Sequence, residues 1–135
     1  MRNFKDLKVW QIAMDLSVKI YHFTQTEGPI KRDFGLKDQL QRSAVSVPSN
    51  IAEGETRNSI NQRLNFFNYA TASLAELHTQ IIISYRIGYL SEDLFKELDY
   101  DCTDLTIRLR NFINYRKKNG WKIMLQERQQ AALTN

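Results

Sequence analysis

The chain has one cysteine, two histidines and no long apolar run. Each shortage excludes a class of protein. With Cys102 alone, no intrachain disulfide can form, and no metal knuckle can be assembled from thiolates. Neither His22 nor His78 has a second histidine or a carboxylate at the i, i+4 spacing of a zinc-protease helix. Both are expected at helix boundaries or interfaces. The five glycines are scattered singly, so no phosphate-cradling loop is built, and no Gly-x-Ser-x-Gly elbow occurs. No stretch approaches the roughly 20 apolar residues that a membrane-spanning helix needs. The opening MRNFKDLKVW has no apolar run after its charges, so no signal peptide is expected and the cytosol is the expected compartment. No metal, cofactor or catalytic site is expected, and the chain reads as non-enzymatic.

What the sequence does have suits a single globular domain. Its 135 residues are enough to bury one core without covalent staples. Hydrophobic content of 42% and charged content of 25% are ordinary for such a domain. The formal net charge of +4 conceals a strong polarity. Between Arg108 and Arg128 stand Arg108, Arg110, Arg116, Lys117, Lys118, Lys122 and Arg128, against Glu127 alone. Between Glu92 and Asp104 stand six acids against Lys96. An acidic helix start complements the helix dipole and needs no function; a basic end can attract phosphates.

Four segments carry a helical period, and the predicted fold is an all-α, antiparallel up-down four-helix bundle over residues 1–120. The first runs from about Lys5 to Gln25, with Asp6 as its N-cap and Val9, Trp10, Ala13, Leu16, Ile20 and Phe23 on one stripe. A loop follows, marked by Gly28, Pro29 and Gly35. The second runs from about Leu36 to Glu53, with Leu36, Leu40, Ala44, Val47 and Ile51 on one face and Gly54 as its stop. Pro48 removes a hydrogen bond and crowds the carbonyl of residue 44, so a kink or break is expected there. The flanking Ser43, Ser46 and Ser49 are available to close loosened backbone groups.

The third segment begins at Ser59 and Gln62, which have capping-box spacing, and ends at Gly88. Its stripe is Ile60, Leu64, Phe67, Ala70, Leu74, Leu77, Ile81 and Tyr85; Ala70, Ala72, Ser73 and Ala75 allow a close neighbour. The fourth is capped by Ser91 and runs to Gly120 through Leu94, Leu98, Cys102, Leu105, Leu109 and Phe112. Cys102 lies on that stripe, so a buried, inert thiol is expected. Residues 121–135 are expected as a C-terminal tail, either a short helix or disordered.

One segment is unusual for a plain bundle helix. Leu36 to Gly54 places Arg42, Ser46, Pro48, Asn50, Glu53 and Gly54 among core-type residues at helical spacing. It reads as a structural motif, a proline site closed by side-chain hydrogen bonds with Asn50 mostly buried, or as a polar cluster presented to a partner. Glu53 and Glu55 form a carboxylate pair, but their i, i+2 spacing points them apart on a helix, which favours local hydrogen bonding over acid–base chemistry.

The string QLQRSAVSVPSNIAEG, with KDLKVWQIAMDL before it and SLAELHTQI after it, closely resembles the four-helix-bundle family named for the intervening sequences of 23S ribosomal RNA genes. The resemblance spans roughly residues 4 to 115, and VPSNIAEG is its most specific part. It implies an up-down bundle assembled into five-fold rings or barrels. Related accessory proteins of diversity-generating retroelements are implied to carry a basic surface, bind nucleic acid and contact a reverse transcriptase. The sequence departs from the family where Ala72-Ser73 replaces Gly-Ser and where His78 replaces a glutamate.

Two function classes follow. The first is an oligomeric, nucleic-acid-associated accessory protein that binds RNA or DNA through Arg110, Arg116, Lys117, Lys118 and Lys122, with Trp121 beside them to stack on an unpaired base. The second is an oligomeric scaffold for a protein partner. Self-association is expected because Trp10, Phe66, Phe67 and Tyr69 exceed what one bundle seam buries; a homopentamer is what the family resemblance implies, since the pattern alone does not supply the number five. Arg116, Lys117 and Lys118 are consecutive and are expected to fan around a helix end.

Overall fold

The computed structural model describes residues 3–26 and 28–134. Glu27 of the expected loop and Asn135 at the end of the expected tail lie outside the described residues. Four substantial helices pack as a bundle: α1 (Lys8–Gln25), α3 (Phe34–Glu55), α4 (Ile60–Arg86) and α5 (Glu92–Thr134). A 3-10 turn (Phe4–Asp6) precedes them, and one helical turn, α2 (Pro29–Arg32), interrupts the expected loop between α1 and α3. In sequence order α1 packs on α3, α3 on α4 and α4 on α5, while α1 also touches α5 and closes the bundle.

The core is built from the four predicted stripes. Val9, Ala13, Leu16 and Ile20 of α1 meet Leu40, Ala44, Val47 and Ile51 of α3, Ala70, Leu74, Leu77 and Ile81 of α4, and Leu98, Cys102, Leu105 and Leu109 of α5. Each fully buried Leu or Ile contributes about 1.5–3 kcal/mol relative to exposure. Burial, with Asp101 and Asp99 nearby, pushes the Cys102 thiol up to about 12, so it remains a protonated, apolar core group.

Helix ends obey the expected capping chemistry in most places. Ser59 Oγ accepts from the Gln62 N–H (3.1 Å), and Ser91 Oγ from the Leu94 N–H (3.2 Å). Gly88 takes φ +88°, the Gly88 N–H reaches Tyr85 O, and the Tyr89 N–H reaches Ser84 O, which closes the end of α4. The first cap differs. Asn3, not Asp6, caps the opening turn, and the Asp6 carboxylate accepts from the Asn3 N–H as the reciprocal partner.

Gly54 and Gly120 do not stop their helices. Gly54 lies inside the last turn of α3, where a Cβ would fall 2.7 Å from Phe67 Cε1, so α4 crosses too closely for any side chain. Gly120 lies within α5 against Ile60. A mid-helix glycine costs only about 1 kcal/mol, and the residues after it, KIMLQERQQAAL, are mostly strong helix formers that carry the helix on.

Pro48 sits buried in a helix that continues through it. The proline leaves Ala44 O without its intrahelical donor. That carbonyl instead accepts from Ser17 Oγ of α1 at 2.7 Å, a shorter contact than Ser17 makes to Ala13 O of its own helix (3.0 Å). The neighbouring serines have other partners. Ser43 donates to Gln80 Oε1 (2.7 Å), Ser46 and Ser73 share a 2.7 Å bond between α3 and α4, and Ser49 is exposed. Asn50 is half-buried and donates to Ser46 O and Ser46 Oγ. Arg42 and Glu53 share its face but point to solvent, pairing separately with Asp38 and Arg57.

Candidate nucleic-acid interface

The continuation of α5 past Gly120 reorganises the basic block. At 3.6 residues per turn, Arg110, Lys117, Trp121 and Arg128, spaced by seven, four and seven, fall within about 40° of one another along roughly 27 Å of helix. All four are exposed. Lys118 and Lys122, one turn apart, flank this row on one side, and Lys122 Nζ lies 5.5 Å from the Trp121 ring centre. None of Arg110, Lys117, Lys118, Lys122 and Arg128 forms an ion pair among the described residues. The consecutive bases thus do not simply fan around a helix terminus: Lys117 joins a straight row that includes Arg128 and an indole.

Arg116 is placed elsewhere. It turns inward, 11% exposed, and grips Glu55 of α3 in a two-pronged ion pair, Nη1 to Oε1 and Nη2 to Oε2, both 2.8 Å. Its guanidinium also lies over Phe112, 4.7 Å from the ring centre. Arg63 of α4 approaches the same carboxylate at 3.3 Å, donates from Nε to Arg57 O, and reaches Glu127 with bonds of 2.7 and 3.1 Å. Glu55 therefore bridges two arginines at the junction of α3, α4 and α5, and Glu127 supplies the second negative charge and ties the last third of α5 to α4. Charge-assisted, two-pronged pairs of this kind fix geometry as well as contribute energy. For the exposed row, Arg116 is a support that fixes the rotation of α5, not a member.

Most of the acidic block is paired. Asp101 and Glu97 hold Lys19 of α1, Asp99 accepts from His78 Nε2 of α4 at 2.6 Å, and Asp104 and Glu92 pair with Arg108 and Lys96 one turn on. The hydrogen bond from Lys19 to Asp101 raises the lysine above its ordinary value. His22 is exposed. The polarity read from the sequence thus resolves into an acidic stretch of α5 mostly paired within the bundle and a basic stretch whose Arg110, Lys117, Lys118, Lys122 and Arg128 form no ion pair among the described residues.

The aromatic surplus is smaller than the sequence suggests. Phe67 is fully buried beside Phe112, Trp10 packs edge-on against Phe4, and Phe66 lies under Arg57. Only Tyr69 of the four stands out in solvent. A different row is exposed on α1: Met14, Val18 and Tyr21, at steps of four and three. No helix among the described residues is long and apolar enough to cross a membrane, and no group of three or more His, Cys, Asp or Glu among them is placed to hold a metal ion.

No curated protein matches the sequence. A crystal structure of a protein of unknown function from the S23 ribosomal protein family, from Bacteroides thetaiotaomicron, shares the fold. Its TM-score is 0.71 at 24% identity, covering 78% of this chain and 97% of that one. The family model for the 23S rRNA-intervening sequence protein matches residues 5–111. That stretch covers all of α1, α3 and α4 and α5 as far as residue 111, and the chain belongs to the 23S rRNA-intervening sequence protein family.

Proposed function

We propose that this protein is a binding module, not an enzyme: an oligomeric bundle that associates with RNA or DNA through the exposed face of α5. The observation that carries the reading is the row of Arg110, Lys117, Trp121 and Arg128, flanked by Lys118 and Lys122, with no acid among the described residues paired to any of them. Unpaired, solvated bases in line are what release counterions from a phosphate backbone. The neighbouring Glu127 does not cancel them, because Arg63 holds it.

Self-association supports the same reading. The row of Met14, Val18 and Tyr21 gives α1 an apolar outer face, and the family resemblance points to five copies around an axis. Several weak basic faces on one assembly bind a long polyanion far more tightly than one does. A monomeric mass in light scattering at micromolar concentration removes this part of the proposal. A reverse transcriptase is the protein partner to test first, by co-elution of the purified pair.

The binding test is a titration with structured RNA and with single-stranded DNA at two salt concentrations. Lys117→Glu/Lys118→Glu is expected to weaken binding at least about tenfold and to lower the salt slope by about 2, one for each lost phosphate contact. If the parent binds neither polymer at low salt, or the variant binds as the parent does, the basic face serves an acidic protein partner and the protein is a scaffold.

A further inference from the structure

Beside the basic row lies an open groove of about 530 Å³. Its α5 wall is Trp121, Met124, Leu125 and Arg128, and its other wall is the entry to α4, with Asn58 and Asn61. We propose that this groove receives an unpaired base of a single-stranded nucleic acid, stacked on Trp121, with the flanking phosphates on Arg128 and Lys122. The proposal rests on the nucleic-acid reading above and adds to it the strand form preferred and the place where a base is held.

Four observations converge. Trp121 is 57% exposed, a large apolar ring left in water where stacking on a base would cover it. The ring stands on a helix, and the Glu127–Arg63 bonds hold that stretch of helix to α4, so the platform is fixed in front of the opposite wall. Asn58 and Asn61 are exposed, and each amide offers both a donor and an acceptor, the combination that base edges require. Among the described residues no acidic side chain lines the groove; its one charged wall residue, Arg128, is cationic, and so is Lys122, which lies beside the groove against the Trp121 indole. The volume falls in the ordinary range for small-molecule sites, about 300–1,000 Å³. Bases in a duplex have both faces covered by their neighbours, so a duplex can use only the phosphate-binding row.

Trp10→Phe leaves Trp121 as the sole indole of the chain and makes its fluorescence a direct report on the groove. This protein is titrated with oligothymidylate and oligouridylate of about 12 nucleotides, an abasic deoxyribose-phosphate of equal length, and a duplex. Quenching by the base-bearing strands, and binding without quenching by the abasic polymer and the duplex, is the expected result; the two base-bearing arms separate DNA from RNA. In the parent background, Trp121→Ala is expected to weaken single-strand binding about tenfold and to leave duplex binding unchanged, while Trp121→Phe restores most of the loss. Equal losses on single strand and duplex, no loss on either, or quenching by the abasic polymer overturns the groove assignment. If binding then still depends on Lys117 and Lys118, the nucleic-acid reading stands without it. No binding of any polymer at low salt overturns both.

Discussion

The two parts of α5 on either side of Gly120 share one unbroken helix and are held by different physics. From Glu92 to Gly120 the helix buries Leu98, Cys102, Leu105, Leu109 and Ile113 against the bundle. From Trp121 to Thr134 it buries nothing fully: Ile123 and Met124 are half-covered, and every residue after them is exposed. Apolar burial maintains the first part. The second depends on intrinsic helix preference and on the pair between Glu127 and Arg63. A family model that stops at residue 111 covers most of the first part and none of the second. The matched stretch therefore lies within the packed part, and the extension from Trp121 to Thr134 falls outside it.

This contrast can be broken by mutation. The largest expected effect is at Glu55, whose removal leaves Arg63 and Arg116 facing each other at a nearly dry junction. Glu55→Ala should cost about 3–5 kcal/mol in chemical denaturation of the whole bundle. Ser17→Ala acts within the packed body too; it strips the donor from Ala44 O and should cost about 1–3 kcal/mol with an unchanged denaturant slope.

Glu127→Ala should behave differently. A half-exposed pair contributes about 1 kcal/mol or less. Its loss is expected to speed hydrogen exchange beyond residue 121 and to reduce helical circular dichroism while the bundle's midpoint holds. A global loss as large as that of Glu55→Ala would show that the extension belongs to the cooperative body. The smallest effect has the opposite sign. At 120 a new Cβ would lie 3.4 Å from Ile60, an ordinary contact, so Gly120→Ala should stabilise the protein by about 0.5–1 kcal/mol.

The helices and the core were legible in the sequence because both depend on local periodicity. Apolar residues at three- and four-residue steps identified all four stripes, and Ser59, Ser91 and Gly88 marked three helix ends through chemistry that acts over a few residues. Glycine as punctuation was the weak rule. Gly54 is small because another helix lies against it, Gly120 simply lies within a helix that continues, and no local pattern distinguishes either case from a stop. The role of Arg116 was hidden for a related cause: its partner Glu55 is 61 residues away, and only the packing of α5 against α3 brings them together. The straight row on α5 was the recoverable part. The spacing of Arg110, Lys117, Trp121 and Arg128 is in the sequence and becomes visible once the helix is continued through Gly120.

The bond from Ser17 to Ala44 O has a consequence for how the helices choose their alignment. A proline in a packed helix creates one acceptor at one height, and the neighbouring helix must bring one donor to that height. Sliding α1 by a turn in either direction would bring Ala13 or Tyr21 to the spot: the first has no donor, and the second carries its hydroxyl at the far end of a ring. Leucines and isoleucines tolerate such a slip, since one apolar side chain substitutes for another across a smooth seam. Pro48 and Ser17 do not, and together they act as a notch and tooth that fix the vertical offset between two otherwise slippery cylinders.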